Sequence, residues 1–472
     1  MKNENEIIVG LDIGTTKIAC CIGRRGDNDK VILLGFGKTE SVGVVRGAVK
    51  NIVSTADSIR KAVRQASEQA QFDVQEVYVG IAGQHIKSVQ KQGSITIPES
   101  HHQITDSDIE RLKSEQRCLM LGPGEEVIHI FPQKFYVDGE LLDGVNPVGV
   151  VGNLLQADFH IVTGNVREIN NIYESVEAAG LKVKGMVLEP VASAYAVLDD
   201  QERTAGVTLV DIGGGTTDVA IFHESVICHT SVLPCAGITI TEDIRRGCNI
   251  MRNQAESLKT KFGCCLPGEV SENDVISIPG IHGMAPHEIS MKGLASIINA
   301  RAKVILELVA AEIQESRLER SLIAGVVITG GGAKLKHIKS LSELITATDT
   351  RIGTPDEHID SATNPIIIDE IKHPMYSTCV GLVLYGLEEL NACPVAGDTP
   401  DPEQVSNETQ DLGSNTDPID IFKDFPSDPR PASEPVSEPE PAPKAAPKRK
   451  KWSPSDAISR FLDRLTNDGI DE

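Results

Sequence analysis

The segment Asp211-Ile212-Gly213-Gly214-Gly215-Thr216-Thr217-Asp218 follows the apolar run Val207-Thr208-Leu209-Val210 and leads into a second apolar run over 219–222. The same design stands about two hundred residues earlier, a repeat spacing typical of duplicated halves rather than of a short solenoid. There Asp12-Ile13-Gly14-Thr15-Thr16 follows Ile7-Ile8-Val9-Gly10-Leu11 and leads into the apolar run 18–22. Each copy reads as strand, tight Gly/Thr turn, strand, and then a third strand, over 31–36 in the first copy and 226–231 in the second. One such turn also closes ordinary hairpins. Two at equivalent places in an imperfectly duplicated chain point to a cleft with a phosphate chain held between two lobes.

The chemistry of the turns supports that reading. Gly/Thr turns expose backbone N–H groups and hydroxyls that can surround phosphate oxygens as a nest. An Asp at the end of the preceding strand can hold Mg²⁺, mostly through water, because Mg²⁺ dehydrates reluctantly. Asp12 and Asp211 are therefore the expected Mg²⁺-side carboxylates. Gly14, Thr15, Thr16, Gly213, Gly214, Gly215, Thr216 and Thr217 are the expected phosphate grip. Lys17 either adds a charge at the β-phosphate or is a solvated strand lysine.

Three further signals fit a nucleotide. Ile328-Thr329-Gly330-Gly331-Gly332-Ala333 follows a strand over 326–328, and consecutive glycines let backbone press flat against a ligand, here adenosine; a plain strand-to-helix turn is the alternative. Glu256 and Lys259, three apart, share one helix face. They form either an exposed ion pair or a grip on the ribose and base. Glu189-Pro190-Val191-Ala192-Ser193-Ala194 opens a helix with Pro in the first turn, and Tyr376-Ser377-Thr378-Cys379-Val380-Gly381-Leu382 has the same small-residue character. Two such helices suit the crossing point of hinged lobes. Glu189 either orients an attacking water or is an N-terminal acid favoured by the helix dipole. A Walker-type loop is excluded: Gly37-Lys38-Thr39 has Ile32 where its first glycine would stand.

The chain has 472 residues, 40% hydrophobic, with a net charge of −23. Such acidity argues against nucleic acid as a partner. The ten cysteines contain no C-x-x-C pair and read as free thiols of a reducing compartment. No run approaches the ~20 apolar residues of a membrane span. Within the ordered body, 84–164 breaks the repeat: a helix signal at Thr105-x-x-Asp108 leads into Ile109 and Leu112, flanked by strand-like runs over 93–98, 127–137 and 154–162. Residues 391–447, rich in Pro and acids and roughly −9 in charge, read as a disordered linker with one apolar island over 419–425. Beyond it Lys448-Arg449-Lys450-Lys451-Trp452 leads into the capped segment Ser453-Pro454-Ser455-Asp456. Ile458, Phe461, Leu462 and Leu465 then recur on one helical face. A basic amphipathic helix with no core to join is expected to bind anionic lipids, through Lys450, Lys451, Trp452 and those apolar residues; a protein groove is the rival partner.

Phosphate turn, connecting helix, second phosphate turn, ribose helix, adenosine loop and second connecting helix, in this order over roughly 6–390, resemble the actin-like ATPase superfamily. The 84–164 insertion and the quoted motifs resemble its bacterial cell-division FtsA family. The resemblance implies an α/β, ribonuclease H-like two-lobed ATPase fold with cofactors ATP and Mg²⁺ and a hydrolysis rate left open. It divides the chain into 1–83 and 165–200 (subdomain 1A), 84–164 (inserted α+β subdomain 1C), 201–233 and 301–390 (2A), 234–300 (2B), the linker 391–447 and the membrane-targeting helix 448–472. It further implies filaments, recruitment of other division proteins through the insert, and a peripheral place on the cytoplasmic face of the inner membrane at the division site. The charged helix over 301–313 matches the region that receives the C-terminal peptide of tubulin-like FtsZ, with Arg301 and Lys303 as its contacts; otherwise both are solvated charges. A small-molecule kinase or a pilus-assembly ATPase on the same fold are the alternatives.

Overall fold

The computed structural model describes residues 6–26, 30–98, 103–117, 121–142, 146–279 and 286–392. The expectations for the linker from 393 on and for the basic helix, including its lipid-facing residues, lie outside the described residues.

Two five-stranded sheets repeat one design. In the first, the strands lie side by side in the order Val31–Glu40, Lys17–Arg25, Ile7–Ile13, Glu76–Ile81, Lys182–Leu188. The first three are antiparallel neighbours and the last three parallel ones. In the second, Val226–Leu233, Thr217–His223, Val207–Ile212, Val326–Thr329 and Thr350–Ile352 follow the same order with the same directions. The duplication read from the two Asp-Gly-Thr segments is thus a duplication of sheets, with each turn at the same corner.

The central strands are apolar on both faces because each sheet is covered on both sides. Val9, Leu11, Ile18, Cys20 and Ile22 pack under the helix Ile52–Ala70, against Ile59, Ala62 and Ala66. Their neighbours Ile8, Ala19 and Cys21 point the other way, to Leu382 and Val383 of the helix Ser377–Ala392. Strand alternation therefore sends the adjacent thiols of Cys20 and Cys21 to opposite faces, both buried and unbridged.

The small-residue helices meet as their composition suggests. Glu189–Val197 and Ser377–Ala392 cross so closely that a Cβ on Gly381 would lie 1.8 Å from the Ala192 carbonyl oxygen. This crossing lies between the two sheets and joins their cores.

The insert is a four-stranded antiparallel sheet in the order Lys87–Thr96, Leu154–Asn165, Glu125–Val137, Glu140–Leu142. The helix Asp106–Arg117 packs on it through Leu112. Half of the expected capping box is present: the Asp108 carboxylate accepts from the Thr105 N–H at 3.0 Å and from its hydroxyl at 2.7 Å, while the Asp108 N–H donates to the Thr105 carbonyl at 3.1 Å. The insert also covers the edge strand Val226–Leu233 of the second sheet. Gln133 Nε2 donates to the Ile227 carbonyl (2.9 Å), Gln90 Nε2 to that of Cys228 (3.0 Å) and Ser88 Oγ to that of Thr230 (3.2 Å). A sheet edge that would otherwise offer unpaired carbonyls is thereby satisfied by side chains. Among the described residues no helix is long and apolar enough to cross a membrane.

Candidate functional site

The two Gly/Thr turns face each other across one cleft with about 1210 Å³ of empty space, part of it open to solvent. They touch. A Cβ on Gly214 would meet Thr16 Cγ2 at 2.5 Å, and one on Gly215 would meet Thr15 Oγ1 at 2.4 Å. Any side chain at either glycine would pry the turns apart. Behind the second turn, the N–H groups of Gly237 and Ile238 donate to the carbonyls of Gly213 (3.1 Å) and Gly214 (2.8 Å), fixing it to the start of the helix Gly237–Cys248.

Of the residues expected from sequence, Asp12, Gly14, Thr15, Thr16, Lys17, Glu189, Asp211, Gly213, Gly214, Gly215, Thr216, Glu256, Lys259, Gly330, Gly331 and Gly332 all line this cleft. Thr217 does not. It is fully buried and its hydroxyl donates to the Cys235 carbonyl at 2.8 Å. The reason is the period of two: Thr216 begins the cleft-facing row of the strand, so Thr217 points into the lobe. Asp218 comes next on the cleft side, directly opposite Asp211 across the hairpin. It lines the cleft, though the sequence reading gave it no role. The register was the available signal, since a four-residue turn over Gly213–Thr216 pairs Ile212 with Thr217 and so makes Asp218 the cross-strand partner of Asp211.

Four carboxylates, Asp12, Glu189, Asp211 and Asp218, converge on this wall. Asp211 Oδ2 accepts from Ser193 Oγ (2.7 Å) and from Thr378 Oγ1 (3.2 Å), one residue from each crossing helix. Asp218 Oδ2 accepts from Thr216 Oγ1 at 3.1 Å, while Oδ1 is buried with no hydrogen-bond partner. Burial, then the mutual repulsion with Asp12, Asp218 and Asp211, pushes the Glu189 carboxyl well above the usual range. Burial and Asp211 do the same to Asp218, and burial raises Asp211 despite the Ser193 hydrogen bond. Burial opposes the charge of Lys17, but its ion pair with Asp12 (Nζ to Oδ2, 2.5 Å) more than compensates and its pKa rises. Lys17 is therefore neither a solvated strand lysine nor a free charge.

Such a wall fits a divalent cation. Like-charged groups directly opposite on a sheet repel, and a buried acceptor without a partner is costly. Among the described residues no three acidic, His or Cys side chains are close enough to ligate one ion together, so a cation here would be held through its waters, as Mg²⁺ prefers.

The other walls are as distinct. Gly330 has φ +82°, and a Cβ there would fall 2.2 Å from Asp211 Oδ1, so this position needs glycine on both counts. Nothing stands within 4 Å of a Cβ built on Gly331, which leaves its backbone face bare. Glu256 and Lys259 are ion-paired at 2.8 Å on the helix Arg252–Phe262. Lys259 Nζ also donates to the Gly237 carbonyl (2.9 Å) and Thr241 Oγ1 (2.8 Å), and burial lowers its pKa. The pair is thus built into the cleft wall. Glu189 begins its helix after Leu188, whose N–H donates to His129 Nε2 of the insert at 3.1 Å. Burial, with a smaller push from Arg117, holds that imidazole neutral, its pKa down to about 4, as an acceptor must be.

Arg301 and Lys303 lie away from this cleft, on the helix Met291–Ser316. Arg301 is not solvated: its Nε and Nη2 pair with Asp243 at 2.6 and 3.2 Å. Lys303 is 57% exposed and lines a separate open groove with Leu266, Asn299 and Leu341.

Comparison with known proteins agrees with this architecture. A family model described as "Cell division protein FtsA" matches residues 208–381, and one described as "SHS2 domain inserted in FTSA" matches 83–163. Cell division protein FtsA of Pseudomonas aeruginosa is 36% identical over 385 residues, 81% of this chain and 90% of that protein. The FtsA proteins of Neisseria meningitidis and Escherichia coli are 33% and 32% identical over 415 and 393 residues, covering 88% and 82% of this chain and 96% and 91% of theirs. Among solved structures, a PilM-PilN type IV pilus biogenesis complex superposes with a TM-score of 0.59 at 17% identity, over 82% of this chain and 99% of that one, a likeness of fold alone. With these sequence relatives spanning most of its length, the chain belongs to the FtsA family of cell division proteins, built on the actin-like fold.

Proposed function

We propose that this chain binds ATP with Mg²⁺ between its lobes, assembles into filaments, and ties the FtsZ polymer to the inner face of the cytoplasmic membrane through its C-terminal helix. The observation that carries the reading is the pair of touching Gly/Thr turns beneath a four-carboxylate wall. The turns offer N–H groups and hydroxyls from both lobes to one phosphate chain. Asp12 and Asp211 would hold the hydrated cation, which offsets the carboxylate charge that Lys17 alone does not balance. Gly330, Gly331 and Gly332 form a bare floor for adenosine, and Glu256 with Lys259 faces the ribose and base. Glu189 would orient a water in its charged form, which a bound cation nearby favours.

For the FtsZ peptide, Lys303 is the more accessible charge, in an exposed pair with Glu307 at 3.7 Å, and Arg301 would have to leave or share Asp243 to join it. The insert, standing clear of the phosphate turns, is the surface for other division proteins. On the membrane side, Ile458, Phe461, Leu462 and Leu465 are each worth ~1.5–3 kcal/mol if fully buried, less the entropy of ordering the helix. One tail then binds weakly, and a filament carrying many tails binds firmly. Sedimentation with anionic vesicles, with and without ATP and residues 448–472, tests this. The account expects ATP-dependent pelleting that the truncation abolishes. Pelleting that ignores both would refute it.

A further inference from the structure

A short hairpin crosses the point where the two phosphate turns meet. Val44 pairs with Val49 and Val45 with Ala48, leaving Arg46-Gly47 as a two-residue turn. Both have positive φ, +51° and +76°. Such turns favour Asn-Gly, Asp-Gly or Gly-Gly, and a long L side chain at the first position is held there against its own steric preference. The base of the hairpin is anchored: Val44 and Val49 are buried in the first lobe, and Asn171 Nδ2 donates to the Val49 carbonyl at 3.1 Å. The tip lies on the site. The Gly47 N–H donates to Thr15 Oγ1 of the first turn at 2.9 Å. A Cβ built on Gly215 of the second turn would lie 2.8 Å from the Arg46 Cα. The two-residue turn therefore stands against the phosphate turns of both lobes, Gly47 on the first and Arg46 on the second.

Of the three lysines that line the cleft, two are occupied, and the third, Lys334, stands on the adenosine-loop side beside Gly330–Gly332. Lys17 is paired with Asp12 and Lys259 with Glu256. Arg46 is exposed, and its guanidinium makes no hydrogen bond or ion pair among the described residues. A strained backbone position held at a site by surrounding contacts is where function is to be sought, and a guanidinium is the side chain whose fork fits phosphate oxygens.

We propose that Arg46 is a binding residue for the outermost phosphate of the nucleotide, and that it makes this cleft prefer a nucleoside triphosphate over the diphosphate. The inference rests on the nucleotide-binding reading and adds a residue and a specificity to it. A diphosphate, lacking the group that reaches the junction of the turns, leaves Arg46 without a ligand.

Titration of the full chain with Mg–ATP and Mg–ADP, for wild type, Arg46→Gly, Arg46→Ala and Arg46→Lys, tests it. The glycine variant is the key control, because it removes the side chain while suiting the positive φ, so the hairpin is retained. Expected is an ATP affinity lower by about tenfold in Arg46→Gly and Arg46→Ala, the scale of one lost charge-assisted contact, with ADP affinity unchanged and Arg46→Lys in between. An ATP-to-ADP ratio in Arg46→Gly equal to that of wild type overturns the proposal, as does equal weakening of both ligands. Wild-type protein that binds neither nucleotide overturns the nucleotide reading itself, a result separable from the first two.

Discussion

Replacing Gly381 with alanine bears directly on how the lobes are joined. The new methyl would sit 1.8 Å from the Ala192 carbonyl oxygen and 2.5 Å from its carbon, where ordinary contact begins near 3.4 Å. Both atoms are backbone, so no side-chain rotation relieves the overlap, and the helices Glu189–Val197 and Ser377–Ala392 must separate. Alanine in place of glycine favours a helix by about 1 kcal/mol. Overpacking of a tight core costs typically ~1–3 kcal/mol, and an overlap with backbone lies at or beyond the top of that range. The net expectation is a loss of about 2 kcal/mol or more. Separation of these helices also displaces Ser193 and Thr378, the two donors to Asp211 Oδ2, so nucleotide affinity should fall with stability. Thermal unfolding followed by calorimetry, with nucleotide titration of the still-folded variant at low temperature, reads both. A variant with the wild-type midpoint and wild-type affinity would show that the crossing is not close-packed and does not support the site.

Two other expectations separate neighbouring residues. Thr217→Val should lower stability by about 1–3 kcal/mol, because the buried Cys235 carbonyl loses its partner, yet leave nucleotide affinity unchanged; Thr216→Val, which takes the donor from Asp218 Oδ2, should lower nucleotide affinity as well as stability, read by the same melting and titration experiments. For Glu189, the sign follows from its raised pKa: in the nucleotide-free protein the folded state holds a proton that the unfolded chain releases near the ordinary carboxylate range. That stability is present at low pH and is lost as pH rises from about 4.5 toward the raised value. Glu189→Gln should therefore gain in melting temperature relative to wild type as pH is raised from about 5 to about 8, and Mg–nucleotide should remove the difference by favouring the charged carboxylate.

Most of the cleft was legible in the sequence because its residues come in short runs whose geometry is local. An Asp closing a strand, followed by glycines and threonines, dictates a turn with outward N–H groups, and the repetition of that run dictates a second lobe. The side assigned to Thr217 was not legible from composition; it depends on where the turn ends and the alternation of the strand resumes. Asp218 was hidden by the same register. Arg301 looked like a surface charge because its partner Asp243 lies on another helix, a pairing set by tertiary packing. Arg46 lies in a stretch with no motif, and only its left-handed backbone, its place against Gly215 and the bond of the adjoining Gly47 to Thr15 give it meaning. The helix signal at Thr105 and the crossing helices were readable because caps and small-residue faces are sequence-local.

The most direct test is a crystal structure of the full chain grown with Mg²⁺ and a non-hydrolysable ATP analogue. A triphosphate seated between Gly14–Thr16 and Gly213–Thr216, with the hydrated ion on the side of Asp12 and Asp211, is the expected result. A nucleotide bound elsewhere, or a cleft that stays free of it at saturating concentration, would contradict the account.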